Sequence, residues 1–319
     1  MPQAPRNTVL VAGSANLDFV VRAAHVPAPG ETVLGRDFQT FPGGKGANQA
    51  VASARAGGAP TRMLLALGDD AFAAPIEASL RDAGVALQIV RAALPTGTAF
   101  ICVADSAENA ITVAPGANHA LAPTHLPPLD DVGYLLLQLE TPLPTVATFA
   151  QRARAAGVRV ALNAAPAQAL TRALLGALDV LIVNEGELAA ITGVHENIAA
   201  ALAHVDVPCV IVTLGARGAC ARIDGAFVLQ PGFPVTPIDT TGAGDTFCGT
   251  LVATLARESD FASALRRACA AAALACTRLG AQSSIPQRAE VDAFLAQQPE
   301  SDPAARHALA AFCGVTCTD

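Results

Sequence analysis

The sequence predicts a three-layer α/β/α protein in which helices cover both faces of a mainly parallel central sheet. Short apolar runs alternate with longer helical segments along most of the 319 residues. The runs contain few polar residues, as is typical of strands buried on both faces. Such alternation implies right-handed crossovers between parallel strands. Hydrophobic residues make up 52% of the chain and aromatic residues only 4%, so Ala, Val and Leu must build most of the core.

The predicted elements follow one another in a regular order. Strands are predicted for the short apolar runs at 8–13, 61–68, 134–140, 158–163, 180–184 and 209–215. Helices are predicted for the longer segments at 45–57, 72–84, 144–157, about 243–257, 260–278 and 288–297.

Two segments, at 17–41 and 98–113, interrupt this order because they contain strand-like pieces but no helix. We expect them to form a small separate sheet that is inserted in two pieces beside the main fold. It is either a mobile lid over a site or a structural flap. The corresponding division is a lid of 15–42 and 97–114 and a core of 1–14, 43–96 and 115–319.

Charge and hydropathy exclude two classes of partner. The net charge is −7 and the pI is near 5.3, whereas a nucleic-acid surface needs clustered Lys and Arg. The N-terminus has no signal-peptide pattern, and no apolar run reaches the roughly 18 residues of a membrane span. We therefore expect a cytoplasmic protein that binds neither nucleic acid nor membrane.

The eight cysteines are scattered, with no CxxC pair and no matching histidine spacing. This pattern predicts buried, reduced thiols. Cys313 and Cys317, near the C-terminus, are the one pair for which a bond or a shared metal stays open.

The stretch DTTGAGDTFCG at 239–249 predicts an anion site. Gly242, Ala243 and Gly244 precede a predicted helix, and the free N–H groups and dipole at a helix start attract a phosphate. Asp245 has two interpretations. It is either the N-cap of that helix or a base that accepts a proton from a hydroxyl attacking a bound phosphoryl group.

A second glycine cluster, PGGKGANQA at 42–50, also opens a predicted helix. Lys45 lies in its first turn, where the dipole disfavours a cation unless a ligand or partner compensates. Neither cluster matches the P-loop or the dinucleotide-binding pattern, because neither has the required glycine spacing. Both an ordinary P-loop and an NAD site are thereby disfavoured.

Polar side chains follow several predicted strands, where open α/β sheets bind their ligands. They are Asn16 and Asp18 after the first strand, Glu140 after the strand at 134–140, and Asn184 with Glu187 after the strand at 180–184. Taken singly, each is also explained as a turn or a helix cap. Their recurrence at successive strand ends favours a polar ligand.

Six motifs between residues 13 and 286 carry a resemblance to a known family. GSANLD, PGGKGANQA, NEGE, TLGARG, DTTGAGDTF and GAQSSIP occur in this order and together closely resemble the ribokinase family of sugar kinases. The resemblance implies a lidded α/β fold, a homodimer formed through the lids, and ATP-dependent phosphorylation of D-ribose at O5. Another small-sugar or nucleoside kinase, or a sugar-sensing protein without turnover, remains the alternative.

The resemblance also implies roles for individual residues. Asp245 is the catalytic base, and Gly242, Ala243 and Gly244 form the anion hole. The sugar is held by Asn16, Asp18, Gly44, Lys45, Asn48, Glu140 and Asp245. ATP and Mg²⁺ are held by Asn184, Glu187, Thr213, Gly215, Gly218 and Gly244, with Glu187 reaching Mg²⁺ through water. A potassium ion that activates the enzyme is held by Asp239, Thr241, Ala275, Arg278, Gly280 and Ser284.

Three positions qualify these implications. Ala164 stands where the family usually has proline, and Cys248 where a polar residue is common. Neither has a proposed role. Asp239 also has a simpler interpretation, since aspartate often closes a turn with local hydrogen bonds.

In an extended strand Ala99 and Ile101 share one face, and small apolar side chains there favour a small sugar such as ribose.

Overall fold

The strands form two sheets in a computed structural model that describes residues 6–106, 108–195, 197–258, 260–299 and 302–316. In chain order they are β1 (Thr8–Ala12), β2 (Asn16–Ala23), β3 (Arg36–Gly43), β4 (Thr61–Gly68), β5 (Ala86–Ala92), β6 (Gly97–Ala104), β7 (Asn109–Ala114), β8 (Val132–Leu137), β9 (Arg159–Asn163), β10 (Val180–Asn184), β11 (Cys209–Thr213), β12 (Gly218–Ile223) and β13 (Ala226–Pro231).

The large sheet has nine strands in the order β13-β12-β11-β10-β9-β8-β1-β4-β5. All pairings from β11 to β5 are parallel, which confirms the prediction of a mainly parallel sheet. The exception is the antiparallel hairpin β12–β13, which pairs with β11 at one edge. Its turn contains Asp224 and Gly225, both at positive φ, and Asp-Gly is a favoured sequence for such turns.

Helices cover both faces of this sheet. They are α1 (Lys45–Arg55), α2 (Ala73–Asp82), α3 (Leu143–Ala155), α4 (Arg172–Leu175), α5 (Glu185–Thr192), α6 (Ile198–Ala203), α7 (Ala243–Arg257), α8 (Phe261–Ala275), α9 (Arg288–Leu295) and α10 (Pro303–Cys313).

Two separate apolar clusters fill the spaces between the layers. One includes side chains of α1, α7 and α8, and the other includes side chains of α3, α5 and α10. The predicted three-layer α/β/α architecture is therefore present. No helix in the described ranges is long and apolar enough to cross a bilayer.

The second sheet has four strands in the order β3-β2-β6-β7. Its strands come from the two helix-free segments of the sequence, and only the β2–β6 pairing is parallel. Phe19 stacks on Phe100 with ring centroids 5.3 Å apart. Phe38 lies on the same face and also stacks on Phe19, with the centroids of these two rings 6.1 Å apart. Phe38 is 62% exposed and Phe100 is 54% exposed, so this face of the small sheet presents an aromatic surface.

The C-terminal helix α10 packs into the second core cluster through Leu309 and Cys313. The neighbouring Cys313 thiol, followed by burial, raises the pKa of the Cys220 thiol of β12. All seven cysteines in the described part of the chain are free thiols, as the sequence predicts. Cys317, the other member of the pair considered from sequence, lies outside the described residues.

Helices α1 and α7 carry the two glycine motifs, and they touch at backbone distance. A Cβ added at Gly249 of α7 would lie 2.2 Å from the Gln49 carbonyl oxygen and 2.7 Å from Ala52 Cβ of α1. Only glycine fits this crossing. The close approach fixes the two motifs relative to each other.

We expect Gly249→Ala to lower the free energy of unfolding by about 1–3 kcal/mol, because the added methyl group must push α1 away from α7. Denaturant titration measures the change. Gly244→Ala in the same helix is the matched control, since a Cβ there meets nothing within 4 Å. Equal stability of the two variants would contradict the tight crossing.

Candidate active site

The two glycine motifs start helices that differ at their N-termini. Gly44 is the N-cap of α1 at φ 88°, and Gly242 is the N-cap of α7 at φ 73°. Both need the positive φ that glycine adopts without strain. In α1 the first N–H groups have protein acceptors: Lys45 N–H donates to Glu140 Oε2 at 3.1 Å, and Gly46 N–H donates to Ser14 Oγ at 3.2 Å. The start of α1 is thereby filled by the protein.

The start of α7 is open by comparison. The N–H groups of Gly244 and Asp245 have no acceptor within the helix, because it begins only at Ala243. Gly244 is exposed, and beyond the backbone of α7 itself no described residue lies within 4 Å of the position that a Cβ would take. The geometry fits an anion that approaches the first turn of α7, as the sequence predicts for Gly242, Ala243 and Gly244.

Asp245 lies in the first turn of α7 and is 6% exposed. Its Oδ2 accepts a hydrogen bond from Asn48 Nδ2 at 2.9 Å, and its Oδ1 accepts one from Gln49 Nε2 at 2.9 Å. The N-cap interpretation of Asp245 is wrong. Gly242 occupies the cap position, and the carboxylate bonds across to α1 instead.

Several side chains predicted to hold a sugar lie near Asp245. Asn16 is buried, and its Oδ1 accepts from Asn118 Nδ2 at 2.8 Å. Glu140 Oε2 accepts from Ser14 Oγ at 2.5 Å. Asn48 has an unusual feature: its Nδ2 holds the Asp245 carboxylate, while its Oδ1 is buried and finds no hydrogen-bond partner in the part of the chain that the structure describes. A buried acceptor without a partner is costly, so a ligand hydroxyl beside Asp245 would satisfy it.

Three carboxylates compensate the cation of Lys45, which the dipole of α1 disfavours. Burial lowers the pKa of Lys45, but attraction from Asp245, Glu140 and Glu187 outweighs burial, and its pKa ends above the ordinary value. Lys45 is therefore charged at neutral pH. The three carboxylates come from α7, from the segment after β8 and from α5.

Asp18 lies on β2 at the edge of a cavity of about 660 Å³ between the small sheet and the loops at 237–241 and 279–281. Ile101 of the small sheet also lines this cavity, and Ala99 pairs with Asp18 across β2 and β6. Burial, followed by repulsion from the Glu140 and Asp245 carboxylates, raises the pKa of Asp18 to about 7. Asp18 thus changes charge near neutral pH.

We expect this pKa to reduce stability as pH rises. The folded protein holds a proton on Asp18 that the unfolded chain releases near pH 4, so the stabilisation is full below that pH and is lost by about pH 7. The unsubstituted protein should therefore lose about 2–3 kcal/mol of its free energy of unfolding between pH 5 and pH 8 through this group. Asp18→Asn should not show this loss, so its stability relative to the unsubstituted protein should rise by the same amount. Denaturant titration without ligands measures this gain. Asp82→Asn, at an exposed position, is the control, and parallel curves for all three proteins would contradict the shift.

Asn184 and Glu187 form a capping box at the start of α5. Asn184 Oδ1 accepts from Glu187 N–H at 2.8 Å, and Glu187 Oε2 accepts from Asn184 N–H at 2.8 Å. Burial raises the pKa of Glu187, and the hydrogen bond from Asn184 and the charge of Lys45 partly offset it. The capping interpretation is therefore correct. Glu187 nevertheless lies close enough to Lys45 and Asp245 for their charges to affect it, so the cap belongs to the same site.

Three further residues predicted to bind the nucleotide, Thr213, Gly215 and Gly218, lie at the end of β11 and just after it. Thr213 ends β11, and its Oγ1 donates to the Val183 carbonyl of β10 at 3.3 Å. Gly215 and Gly218 follow at φ 57° and 105°. A Cβ on Gly218 would lie 2.1 Å from the Gln230 carbonyl oxygen of β13, so the loop requires glycine there.

Two loops that carry the predicted cation ligands are joined by Asp239. Its Oδ1 accepts from Thr241 N–H at 2.9 Å, and its Oδ2 accepts from Gly280 N–H at 2.9 Å. Burial raises the pKa of Asp239, but these hydrogen bonds outweigh burial and hold the pKa below its usual range. The turn-closing interpretation of Asp239 is thus correct, and the same side chain also connects to the loop after α8.

The remaining predicted cation ligands lie at the end of α8 and in the loop after it. The Ala275 carbonyl accepts from Arg278 N–H at 3.1 Å. The Arg278 side chain pairs with Glu290 at 2.5 Å, so only its carbonyl remains for an ion. Ser284 Oγ donates to the Ala281 carbonyl at 2.8 Å. In the described part of the chain no three His, Cys, Asp or Glu side chains form a metal cluster, so an ion here would rely on backbone carbonyls together with the oxygens of Asp239, Thr241 and Ser284.

Sequence reasoning missed a second set of buried polar residues at this site: Ser14, Gln49, Asn118, Gln138 and Asn163. Ser14 and Asn118 hold Glu140 and Asn16, as described above, and the other three connect to Asp245. Their signal in the sequence is a lone polar residue within or beside an apolar run, as in YLLLQLE for Gln138 and VRVALN for Asn163. Such residues are rarely buried without a specific partner.

The arrangement combines an open helix N-terminus for an anion, a buried carboxylate beside it, and a nearby cavity that Asp18 borders. Phosphoryl transfer needs mainly positioning, charge stabilisation and one base. All three requirements meet at the first turn of α7.

Comparisons with known proteins agree with this chemistry. The sequence model of the pfkB family carbohydrate kinases matches residues 6–288. A ribokinase of Haemophilus influenzae is 41% identical over 303 residues, which cover 91% of this chain and 99% of that protein. The solved ribokinase of Thermotoga maritima has a TM-score of 0.85 at 36% identity, covering 91% of this chain and 99% of its own.

A third relative is solved with its ligands. The structure of Arabidopsis thaliana ribokinase complexed with ribose and ATP has a TM-score of 0.83 at 32% identity, and it covers 91% of this chain and 99% of its own. Together with the site geometry, these matches show that the chain belongs to the pfkB family of carbohydrate kinases.

Proposed function

We propose that this protein phosphorylates D-ribose at O5 with ATP, giving D-ribose 5-phosphate and ADP. The observation that carries the proposal is the pairing of Asn48 with Asp245. Asn48 Nδ2 holds one carboxylate oxygen at 2.9 Å, and its buried Oδ1 has no hydrogen-bond partner among the described residues. A sugar hydroxyl that donates to this oxygen lies directly beside the base. The similarity to ribokinases, one of them solved with ribose and ATP, supports ribose as that sugar.

In the proposed reaction Asp245 accepts the proton of the O5 hydroxyl as O5 attacks the γ-phosphorus. The bond from O5 to phosphorus forms, the bond from phosphorus to the β–γ bridging oxygen breaks, and ADP leaves. The N–H groups at the start of α7 stabilise the charge on the transferred group. Gly244 keeps this space open because it has no side chain.

The other site residues bind and orient the substrates. Asn16, Asp18, Gly44, Lys45, Asn48 and Glu140 surround the sugar. Thr213, Gly215 and Gly218 border the nucleotide, and Asn184 and Glu187 lie between the two substrates. Glu187 Oε2 is used by the capping box, so its other oxygen is the one that fits a water on Mg²⁺. When bound, Mg²⁺ neutralises charge on the ATP phosphates.

An ADP-release assay tests the proposal on D-ribose, 2-deoxy-D-ribose, fructose and adenosine. The proposal expects the highest kcat/KM for D-ribose. Faster turnover of fructose or adenosine would instead support another sugar or nucleoside kinase of this family. Calorimetric binding of ribose with no ADP release from any sugar would support a sugar sensor.

The proposal includes activation by potassium, bound by Asp239, Thr241 and Ser284 with the carbonyls of Ala275, Arg278 and Gly280. The contact of Asp239 with Gly280 supports it, because this contact joins the two loops beside Gly242. An ion there would stiffen the loop that leads to the anion hole. We expect kcat to rise when potassium replaces sodium at constant ionic strength, and Asp239→Ala to abolish the rise. Identical rates in both salts would remove the ion from the mechanism.

The small sheet is proposed to act as a lid and as the dimer surface. Its position over the cavity that contains Asp18 supports the lid, which would exclude water that competes with the sugar. Its exposed Phe38 and Phe100 support association, and light scattering at micromolar concentration measures whether a homodimer forms. The described cysteines are free thiols. They support a location in the cytoplasm, where thiols stay reduced.

A further inference from the structure

Two buried glutamine side chains form a directed chain of hydrogen bonds that ends on Asp245, and a third buried amide, Asn163, accepts a branch of it. Gln138 Nε2 donates to Gln49 Oε1 at 2.6 Å. Gln49 Nε2 in turn donates to Asp245 Oδ1 at 2.9 Å and to Asn163 Oδ1 at 3.0 Å. Gln49 and Gln138 are fully buried. Each donor in this chain therefore points towards the carboxylate or its neighbour.

The partners fix the orientation of each amide. If the Gln49 amide were flipped, its oxygen would face two acceptor oxygens, those of Asp245 and Asn163. Asn163 is itself oriented because its Nδ2 donates to the Ile182 carbonyl at 3.3 Å. An amide has two N–H donors, and Gln49 uses both. The chain thus has one favourable arrangement.

The amides connect Asp245 to the central sheet. Gln138 follows β8, Asn163 ends β9, Gln49 lies on α1 and Asp245 lies on α7. Gly13, after β1, makes room for this arrangement, because a Cβ there would lie 1.9 Å from Gln138 Oε1. The carboxylate is therefore held from the side of the sheet by Gln49 and from the side of the proposed sugar by Asn48.

We propose that Gln49 is a positioning residue for the base, and that Gln138 and Asn163 hold Gln49 in place for this task. With one amide on each oxygen, the Asp245 carboxylate cannot rotate, so its remaining lone pairs keep a fixed direction towards the attacking hydroxyl. Dipoles aligned along the chain also reinforce one another in a buried site. Gln49 acts only through Asp245 and touches neither sugar nor ATP. The inference rests on the proposed function.

A double-mutant cycle tests the inference. Gln49→Met keeps the length of the side chain but cannot donate. We expect it to lower kcat about 10- to 100-fold by misdirecting the base, with the KM for the sugar changed less than about threefold. In an Asp245→Asn background the same change should lower kcat by less than about twofold, because the residue through which Gln49 acts is already lost.

Two further variants keep the test decisive. Gln138→Met leaves both contacts of Gln49 to its acceptors intact, and we expect a smaller loss of kcat that is again absent in the Asp245→Asn background. Ser53→Ala is the matched control on the same helix, since Ser53 is fully buried and hydrogen-bonds with Thr61 Oγ1 at 2.9 Å, away from Asp245. It should lower stability but leave kcat within about twofold.

The outcomes separate the two proposals. Gln49→Met or Gln138→Met can lower kcat by the same factor in the unsubstituted protein and in Asp245→Asn while both remain folded. The glutamine then has only a structural role, and the inference is overturned. A normal kcat in folded Gln49→Met overturns it as well. Absence of ADP release by the unsubstituted protein with every sugar contradicts the proposed function instead.

Discussion

Asp245→Asn is expected to lower kcat by about 10²–10⁴-fold, the usual contribution of a positioned general base. The amide is nearly isosteric with the carboxylate, but it cannot accept the proton of the attacking hydroxyl. The new NH2 group faces either Asn48 Nδ2 or Gln49 Nε2, so one of these two donors loses its acceptor. Sugar binding should be nearly intact, because Asp18 and Glu140 make no hydrogen bond to Asp245 among the described residues and remain in place. Steady-state ADP release gives kcat, and calorimetry with the sugar gives the Kd.

Asp224→Asn is the control for this substitution. Asp224 lies in the β12–β13 turn at φ 46°, a conformation that asparagine also tolerates, and it lies far along the sheet from α7. Its kcat should equal that of the unsubstituted protein. A folded Asp245→Asn variant with near-normal kcat would rule out Asp245 as the base.

Gly244→Val is expected to lower kcat/KM by at least about 100-fold while leaving the fold intact, because its side chain would block an anion hole in which the loss of a single donor already has an effect of this size. The valine side chain starts in open space, because a Cβ at position 244 has no neighbour within 4 Å among the described residues beyond its own helix backbone. It projects instead into the space in front of the helix start, where the transferred phosphoryl group is proposed to bind. Thermal unfolding and ADP release are measured on the same preparation.

Gly176→Val is the matched control, at an exposed helix end with φ −66°. Both variants should unfold within a few degrees of the unsubstituted protein, and only Gly244→Val should lose turnover. If Gly244→Val keeps its kcat/KM, the phosphoryl group does not bind at this helix start.

The parallel part of the fold was predictable from sequence because its strands are buried on both faces. The runs at 8–13, 61–68 and 209–215 agree with β1, β4 and β11. By contrast β5 is an edge strand, and its sequence ALQIVRA mixes polar with apolar residues. The hairpin β12–β13 also lies at an edge. Strands of this kind give a weaker apolar signal, and both were missed.

The site residues that belong to a sequence motif could be predicted. The contacts that orient them could not, because they join segments far apart in the sequence. The glycine clusters correctly located the starts of α1 and α7. Whether Asp245 or Gly242 caps α7 depends on a backbone angle that no residue pattern fixes. The partners of Asp245 lie 196 and 197 positions away, at Gln49 and Asn48, and only the folded chain brings them together.

The crossing of α1 and α7 at Gly249 has a consequence for how this sequence can diverge. The neighbours of Gly249 are the Gln49 carbonyl and the Ala52 side chain, and Gln49 also holds the base. A larger residue at position 249 or 52 shifts the whole helix that bears Asn48 and Gln49, and so misplaces both amides on Asp245. Variation at this crossing is therefore constrained by catalysis as well as by packing. In any lineage that keeps the activity, the residues at positions 52 and 249 should therefore change together.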